Sequence, residues 1–145
     1  MTDFSAQLDA AYKKKVEGLL QAVVVKTALD VDRDLVLETP VGNPALWKSP
    51  APAGYVGGHA RANWLASLNN PRTSEAAGTD RQAGDSVQSI TSQFNVKDTI
   101  YISNNVPYIQ RLNDGWSTQA PIGFIDAIIS RHKARASRAA KGLVK

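Results

Sequence analysis

The glycine-rich stretch Tyr55-Val56-Gly57-Gly58-His59 is the first candidate for chemistry, because loops rich in glycine can cradle phosphate groups. A phosphate-binding loop of that kind has the spacing GxxxxGK[ST] and connects a strand to a helix. This stretch lacks the spacing, and no strand is predicted before it. We therefore interpret it as a turn that needs the backbone freedom of glycine.

The two histidines, His59 and His132, have no cysteine near them and no HExxH spacing. A pair of histidines would supply only half of the four ligands that a structural zinc ion requires. We expect both side chains to pack against their surroundings and to carry neither metal nor catalysis.

Aspartates alternate with other residues over the segment 30–34, as they do at the start of a calcium-binding loop. The sixth position of such a loop needs glycine and the twelfth needs glutamate, but Leu35 and Val41 stand there. We interpret these carboxylates as solvated side chains on a helix: Asp30, Asp32 and Asp34.

No serine lies in a GxSxG turn, and no two carboxylates can be placed together as an acid and base pair. The sequence therefore indicates no catalytic residue, no metal and no cofactor, and we expect a protein that is not an enzyme.

Aromatic residues are concentrated in two segments that are rich in turn-forming residues. The segment 39–58 contains many prolines and glycines and is predicted to be an extended loop, whereas 104–123 follows a predicted strand. Tryptophan, tyrosine and arginine dominate the binding energy of protein interfaces. The alternative is that the second segment folds back on its own core. The candidate residues for a subunit or partner interface are Trp47, Tyr55, Arg61, Trp64, Tyr108, Arg111, Trp116, Gln119 and Pro121.

The positive charge of the chain is confined to the segment 131–145. The sequence has 17 lysines and arginines and 13 acidic residues. Six of those 17 cations lie in this segment, so the rest carries 11 positive and 13 negative charges, a net charge of −2. The segment is a candidate for contact with a DNA channel or with an acidic partner, or it is a solvated helix end. Its candidate contact residues are Arg131, Lys133, Arg135, Arg138 and Lys141.

Apolar spacing predicts a long first helix, capped by Asp3 or Ser5 and ending before Pro40, with a possible break at Gly18. Phe4, Leu8 and Tyr12 fall on one face of it. Two strands are predicted at 59–69 and 98–103, and further helices at 80–94, 107–114 and 124–140. On the last helix we expect five residues to face inward: Phe124, Ile125, Ile128, Ile129 and His132. The predicted fold class is α+β, with a long N-terminal helix, a small antiparallel sheet and further helices that include a basic C-terminal one.

Length and composition are those of one globular domain spanning residues 1–145. No run of apolar residues approaches the length needed to span a membrane, the N-terminus does not resemble a signal peptide, and there is no cysteine. We expect a protein that folds and assembles in a cytoplasm and has no membrane partner.

Two of these segments resemble blocks of a known family. The run IYISNNVPYIQRLNDGWSTQAPIGF, residues 100–124, and the run TPVGNPALWKSPAPAGYVGGHARANW, residues 39–64, are similar to the tail-completion or head–tail joining proteins of long-tailed bacteriophages. Together they cover about a third of the chain in the family's order. The chain departs from the family's pattern at His59 and Ala60, which replace an arginine and a leucine, and at Asn113, which replaces an acidic residue.

The resemblance implies a structural virion protein of the phage neck, assembled in the bacterial host cytoplasm. The implied assembly is a ring at the head–tail junction, a hexamer with a dodecamer as the alternative, and the implied role is that of a tail terminator or tail-completion protein. Its neighbours would be the connector or stopper and the tail tube, and DNA would pass through without sequence-specific binding. The alternative function is a small DNA-binding protein that acts through the segment 131–145.

Overall fold

The chain has an α+β fold in which one long helix carries a small body at its C-terminal half. The computed structural model describes residues 3–143. Its helices are α1 (Phe4–Glu38), α2 (His59–Ala62), α3 (Asp85–Gln88), α4 (Ile109–Asn113) and α5 (Phe124–Leu143), and its strands are β1 (Leu65–Leu68) and β2 (Ile100–Ser103). Short 3-10 turns occur at Pro44–Leu46 and Thr91–Gln93.

Helix α1 is continuous through Gly18, so the predicted long helix is confirmed in its unbroken form. Asp3 caps it, because its carboxylate accepts a hydrogen bond from the Ser5 backbone N–H at 3.2 Å. The helix ends at Glu38, where Thr39 adopts an extended conformation before Pro40. With 35 residues at about 1.5 Å each, the rod is about 52 Å long.

Strands β1 and β2 pair antiparallel, with Leu65 opposite Ser103 and Leu68 opposite Ile100. The sheet and its second strand are confirmed, but the strand predicted over 59–69 is wrong in its first half. Gly58 has φ of 108°, and a β-carbon there would collide with the Thr79 carbonyl oxygen, so the chain turns sharply at this point. Residues 59–62 then form α2, which buries two alanines rather than alternating across a sheet.

The helix predicted over 80–94 is much shorter than expected. Gly84 has φ of 92°, which a right-handed helix does not allow, so the α-helical part begins only at Asp85. It lasts one turn, and the chain continues through the 3-10 turn at Thr91–Gln93. The apolar stripe that suggested the helix still reaches the interior, because Val87 and Phe94 are buried.

The core lies between the C-terminal half of α1, helix α5 and the sheet. Leu35 and Val36 of α1 pack with Trp64, Phe124 and Ile128 in one buried cluster. A second cluster joins Ala28 of α1 with Ala66 and Val87, with half-buried side chains from β2 around it.

Two expectations about individual side chains are wrong. Ile129 does not face inward, because Phe124, Ile128 and His132 occupy the buried stripe of α5 and leave Ile129 51% exposed. Asp32 is not solvated, because the segment that contains α3 covers it completely and leaves its side chain 0% exposed. Asp34 is also largely covered, since it faces α5.

Candidate interaction surface

An open groove lined by aromatic side chains lies where the two predicted loop segments meet. Trp47 and Tyr55 come from the first segment, and Tyr108 and Trp116 come from the second. We call this surface the aromatic groove. Its volume is about 920 Å³, and its walls also include Leu46, Lys48, His59, Leu112 and Gln119. Two segments that are 53 residues apart at Tyr55 and Tyr108 thus form one surface.

The aromatic rings of the groove contact one another and a cation. Trp47 and Tyr55 meet edge to face with ring centroids 4.7 Å apart. The Arg111 guanidinium lies 5.0 Å from the centroid of the Trp116 ring, within the range of a cation–π interaction. Trp116 remains 74% exposed. A tryptophan this exposed, beside other exposed rings, is typical of a surface that binds a partner.

Two of the predicted interface residues, Arg61 and Trp64, instead support the base of the first segment. Trp64 is only 6% exposed, and its indole Nε1 donates to the Thr39 hydroxyl at 2.7 Å. The Arg61 guanidinium donates to the Thr39 carbonyl at 2.9 Å and to the Leu37 carbonyl at 3.3 Å. Both side chains therefore satisfy polar groups at the C-terminal end of α1.

Asparagines hold the second segment in place. Asn104 donates to the Ala60 carbonyl at 2.8 Å, and Asn105 donates to the Arg72 carbonyl at 2.9 Å. Asn113 accepts from the Ile125 backbone N–H at 3.0 Å and donates to the Asp126 carboxylate at 2.8 Å. At Asn113, where the resembling family has an acid, the amide can both accept and donate, which a carboxylate beside Asp126 could not do.

The other predicted interface residues lie at or near the groove. Gln119 lines it and is exposed, and Arg111 reaches it through Trp116. Pro121 is exposed but does not line it.

His59 links the wall of the groove to the loop that follows β1. Its Nε2 lies 2.7 Å from the Glu75 carboxylate and its Nδ1 lies 3.0 Å from the Gly78 carbonyl oxygen. Because each ring nitrogen faces an acceptor, the imidazolium form can satisfy both. The Glu75 hydrogen bond, with the Gly78 carbonyl, raises the pKa of His59 above its usual value.

The basic residues of α5 divide into one that is paired within the chain and four that are exposed. Arg131 contacts the carboxylates of Asp34 and Glu38, and both contacts join α5 to α1. Beside it, His132 is buried and its Nε2 lies 2.7 Å from the Asp34 carboxylate. Burial acts to raise the pKa of Asp34, but hydrogen bonds from His132 and Arg33 outweigh it and lower the pKa. The exposed cations are Lys133, Arg135, Arg138 and Lys141.

The N-terminal half of α1 is an exposed surface whose residues were not among those predicted for an interface. Phe4 is 78% exposed, Leu8 59% and Tyr12 70%, and every residue from Asp3 to Lys15 is exposed. The spacing of four residues aligns these three side chains on one face, which we call the α1 stripe. Periodicity predicted the face correctly, but it could not tell that no part of residues 3–143 covers it.

Within residues 3–143, no group of three or more histidine, cysteine, aspartate or glutamate side chains is placed to hold a metal ion. Over the same residues, no helix has the length and apolar character that crossing a membrane requires. Comparison of the chain with protein-family models, with curated protein sequences and with solved structures gave no match.

Proposed function

We propose that this protein is a non-enzymatic neck component of a tailed bacteriophage, which forms a ring at the head–tail junction. In this role the protein acts through its shape and its contacts with other proteins. It associates with copies of itself, docks between the head connector and the tail tube, and continues the channel through which DNA passes. The ring is a hexamer, with a dodecamer as the alternative.

The observation that carries the proposal is that the two segments resembling neck proteins, 39–64 and 100–124, jointly form the aromatic groove. Their aromatic side chains are exposed in the single chain, whereas the residues that support them are buried or half-buried and hydrogen-bonded. This division is typical of a surface whose rings pack against another protein. A net charge of −2 outside the segment 131–145 also suits a channel wall that does not hold phosphates tightly.

Native mass spectrometry and particle imaging test the proposal. We expect rings of six or twelve copies, formed by the protein alone or with the connector and tail-tube proteins of its own phage. Trp116→Ala should weaken the assembly, because it removes the most exposed ring of the groove. Val96→Ala, at an exposed position outside the groove, is the matched control. Monomers alone, even with both partners present, would contradict a ring-forming role.

The second candidate function, DNA binding through α5, is favoured by the four exposed cations on a helix with no acidic residue after Asp126. It predicts salt-sensitive binding to duplex DNA that disappears when Lys133, Arg135, Arg138 and Lys141 are all changed to glutamine. Fluorescence anisotropy over a series of salt concentrations separates the two functions. A neck protein should show little binding to lose, whereas a DNA-binding protein should lose affinity steeply with salt.

A further inference from the structure

The α1 stripe and the aromatic groove lie at opposite ends of one rigid element. Pro40 and Gly42, just past the end of α1, belong to the groove wall. Tyr12 is 26 residues before the end of the helix at Glu38, a distance of about 39 Å along the rod. An unbroken helix cannot fold back over that distance. The stripe of one copy therefore cannot enter the groove of the same copy.

The two surfaces match in chemistry. The stripe presents two aromatic rings and one leucine on a single helical face, and the groove presents four aromatic rings. An amphipathic helix that inserts residues spaced by four into an apolar groove is a recurring mode of protein recognition. The groove volume of about 920 Å³ is large enough to take several such side chains.

Charged side chains flank both surfaces. On the stripe side, Asp3 and Asp9 lie within the first turns of α1, and Lys13, Lys14 and Lys15 follow directly after Tyr12. Lys48 lines the groove, and Arg111 lies over its Trp116 ring. Within residues 3–143, neither of these cations makes an ion pair with a carboxylate. These cations would favour the end of α1 that carries Asp3 and Asp9, with the three lysines after Tyr12 outside the groove.

We propose that the first three turns of α1 in one copy of the chain bind in the aromatic groove of the next copy. The inference rests on the proposed function, because it supplies the contact by which a ring would form. The two faces of this contact differ, so it is a head-to-tail contact, and such contacts close into a ring when the rotation between copies permits. Each copy would extend α1 onto one neighbour and receive the helix of the other.

Disulfide trapping tests the contact directly, because the chain contains no cysteine. Tyr12→Cys places a thiol on the stripe, and Leu46→Cys places one on an exposed wall of the groove. We expect an equal mixture of the two variants to form a mixed disulfide dimer under mild oxidation, and each variant alone to form little. The two variants differ in mass, so intact mass spectrometry distinguishes the mixed dimer from either homodimer. Ala6→Cys, exposed on the opposite side of the same helix, replaces Tyr12→Cys in the control mixture.

A pair of charge variants provides the second measurement. Leu8→Asp should raise the protein concentration needed for assembly by at least tenfold, because it places a charge in an apolar contact. Ala6→Asp adds the same charge to the same exposed turn, away from the stripe, and should change that concentration little. Circular dichroism of both variants checks that the helix is intact.

The outcomes separate this inference from the proposed function. Rings that form without the mixed disulfide, and equally well with Leu8→Asp, would overturn the inference and leave the ring-forming role in place. If the Tyr12→Cys homodimer formed as readily as the mixed dimer, the stripe of one copy would bind the stripe of another. That result would also overturn the inference. A mixed disulfide in open chains that never close would support the inference and count against the ring.

Discussion

The pKa of Asp32 is determined by the residues that surround it in the folded chain. Its carboxylate is 0% exposed, and neither oxygen has a hydrogen-bond partner within residues 3–143 that meets ordinary distance and angle limits. Burial raises the pKa of Asp32 to about 6, and the backbone N–H groups of Gly84 and Val87 and the charge of Arg81 offset only part of this effect. Asp85 lies close enough to raise the pKa slightly further. The sequence showed three alternating aspartates, and nothing in that pattern distinguished the buried one.

We expect Asp32 to make the protein less stable as pH rises from about 4 to about 6. A carboxyl whose pKa is higher in the folded chain than in the unfolded chain binds its proton more tightly when folded. Its contribution is therefore present below the unfolded value of 3.8 and is lost as pH rises through about 6. A difference of about two pKa units corresponds to roughly 3 kcal/mol.

Asp32→Asn should remove this dependence on pH. The free energy of unfolding of the variant minus that of the wild type should become larger by roughly 2 to 3 kcal/mol between pH 4 and pH 7. Urea unfolding at the two pH values measures this difference. Asp30→Asn, which removes a carboxylate paired with Lys26 on the same helix, is the matched control. Equal changes in the two variants would show that burial of Asp32 is not the cause.

At the scale of elements, the end of α1 depends on one hydroxyl. Thr39 is fully buried, and its hydroxyl donates to the Leu35 carbonyl at 2.6 Å while accepting from the Trp64 indole at 2.7 Å. The hydroxyl therefore joins the last turn of α1 to the residue just before β1. A buried indole N–H without an acceptor costs about 1 to 3 kcal/mol.

Thr39→Val should lower the free energy of unfolding by about 1 to 3 kcal/mol, since it keeps the shape and removes the hydroxyl. Thr39→Ser keeps the hydroxyl and loses only a methyl group, so it should cost less than valine does. Urea unfolding followed by tryptophan fluorescence compares the two variants. If serine proved as harmful as valine, the hydrogen bond from Trp64 would not be what stabilises this junction.

The elements that the sequence predicted well are those whose signal is long and periodic. The spacing of apolar residues was enough to predict helix α1 and the burial of Phe124 and Ile128 on α5. In these elements the tertiary contacts act in the same direction as the local preference. Glycines with positive φ caused the errors. Gly84 lies inside the helix predicted over 80–94, and Gly58 immediately precedes the strand predicted over 59–69. Each forces a turn at its position, and a single sequence does not reveal which glycines adopt that conformation.

For the whole molecule, the sequence identified the aromatic residues of the candidate surface but could not assign them to one place. Trp47, Tyr55, Tyr108 and Trp116 were all predicted to lie at an interface, and the fold brings them to one groove. Arg61 and Trp64 have the same residue types and are used inside the chain, because the end of α1 needs hydrogen-bond donors there. Residue type alone does not distinguish a side chain exposed at the groove from one that donates hydrogen bonds inside the chain.

At this scale, the two halves of α1 also differ in their surroundings. Every residue from Asp3 to Lys15 is exposed, whereas α1 contributes Ala28, Asp32, Leu35 and Val36 to the buried interior. Near the middle of α1, the Gln21 side-chain amide donates to the Phe94 carbonyl at 2.9 Å and joins the helix to the body. The contribution of α1 to the folded core therefore comes from its C-terminal half, and the N-terminal half is available for binding.

Deleting the first 14 residues should therefore separate assembly from folding. The shortened chain should keep a cooperative thermal transition by circular dichroism, with a midpoint within a few degrees of the full chain, because residues 3–14 are all exposed. It should also lose self-association in native mass spectrometry, because Phe4, Leu8 and Tyr12 are removed with it. Deleting residues 1–28 is the contrasting variant, since it removes the buried Ala28 and the Gln21 hydrogen bond and should destabilise the body. A 14-residue deletion that abolished the transition would place folding energy in the exposed half of α1, and one that left self-association intact would place the contact elsewhere on the molecule.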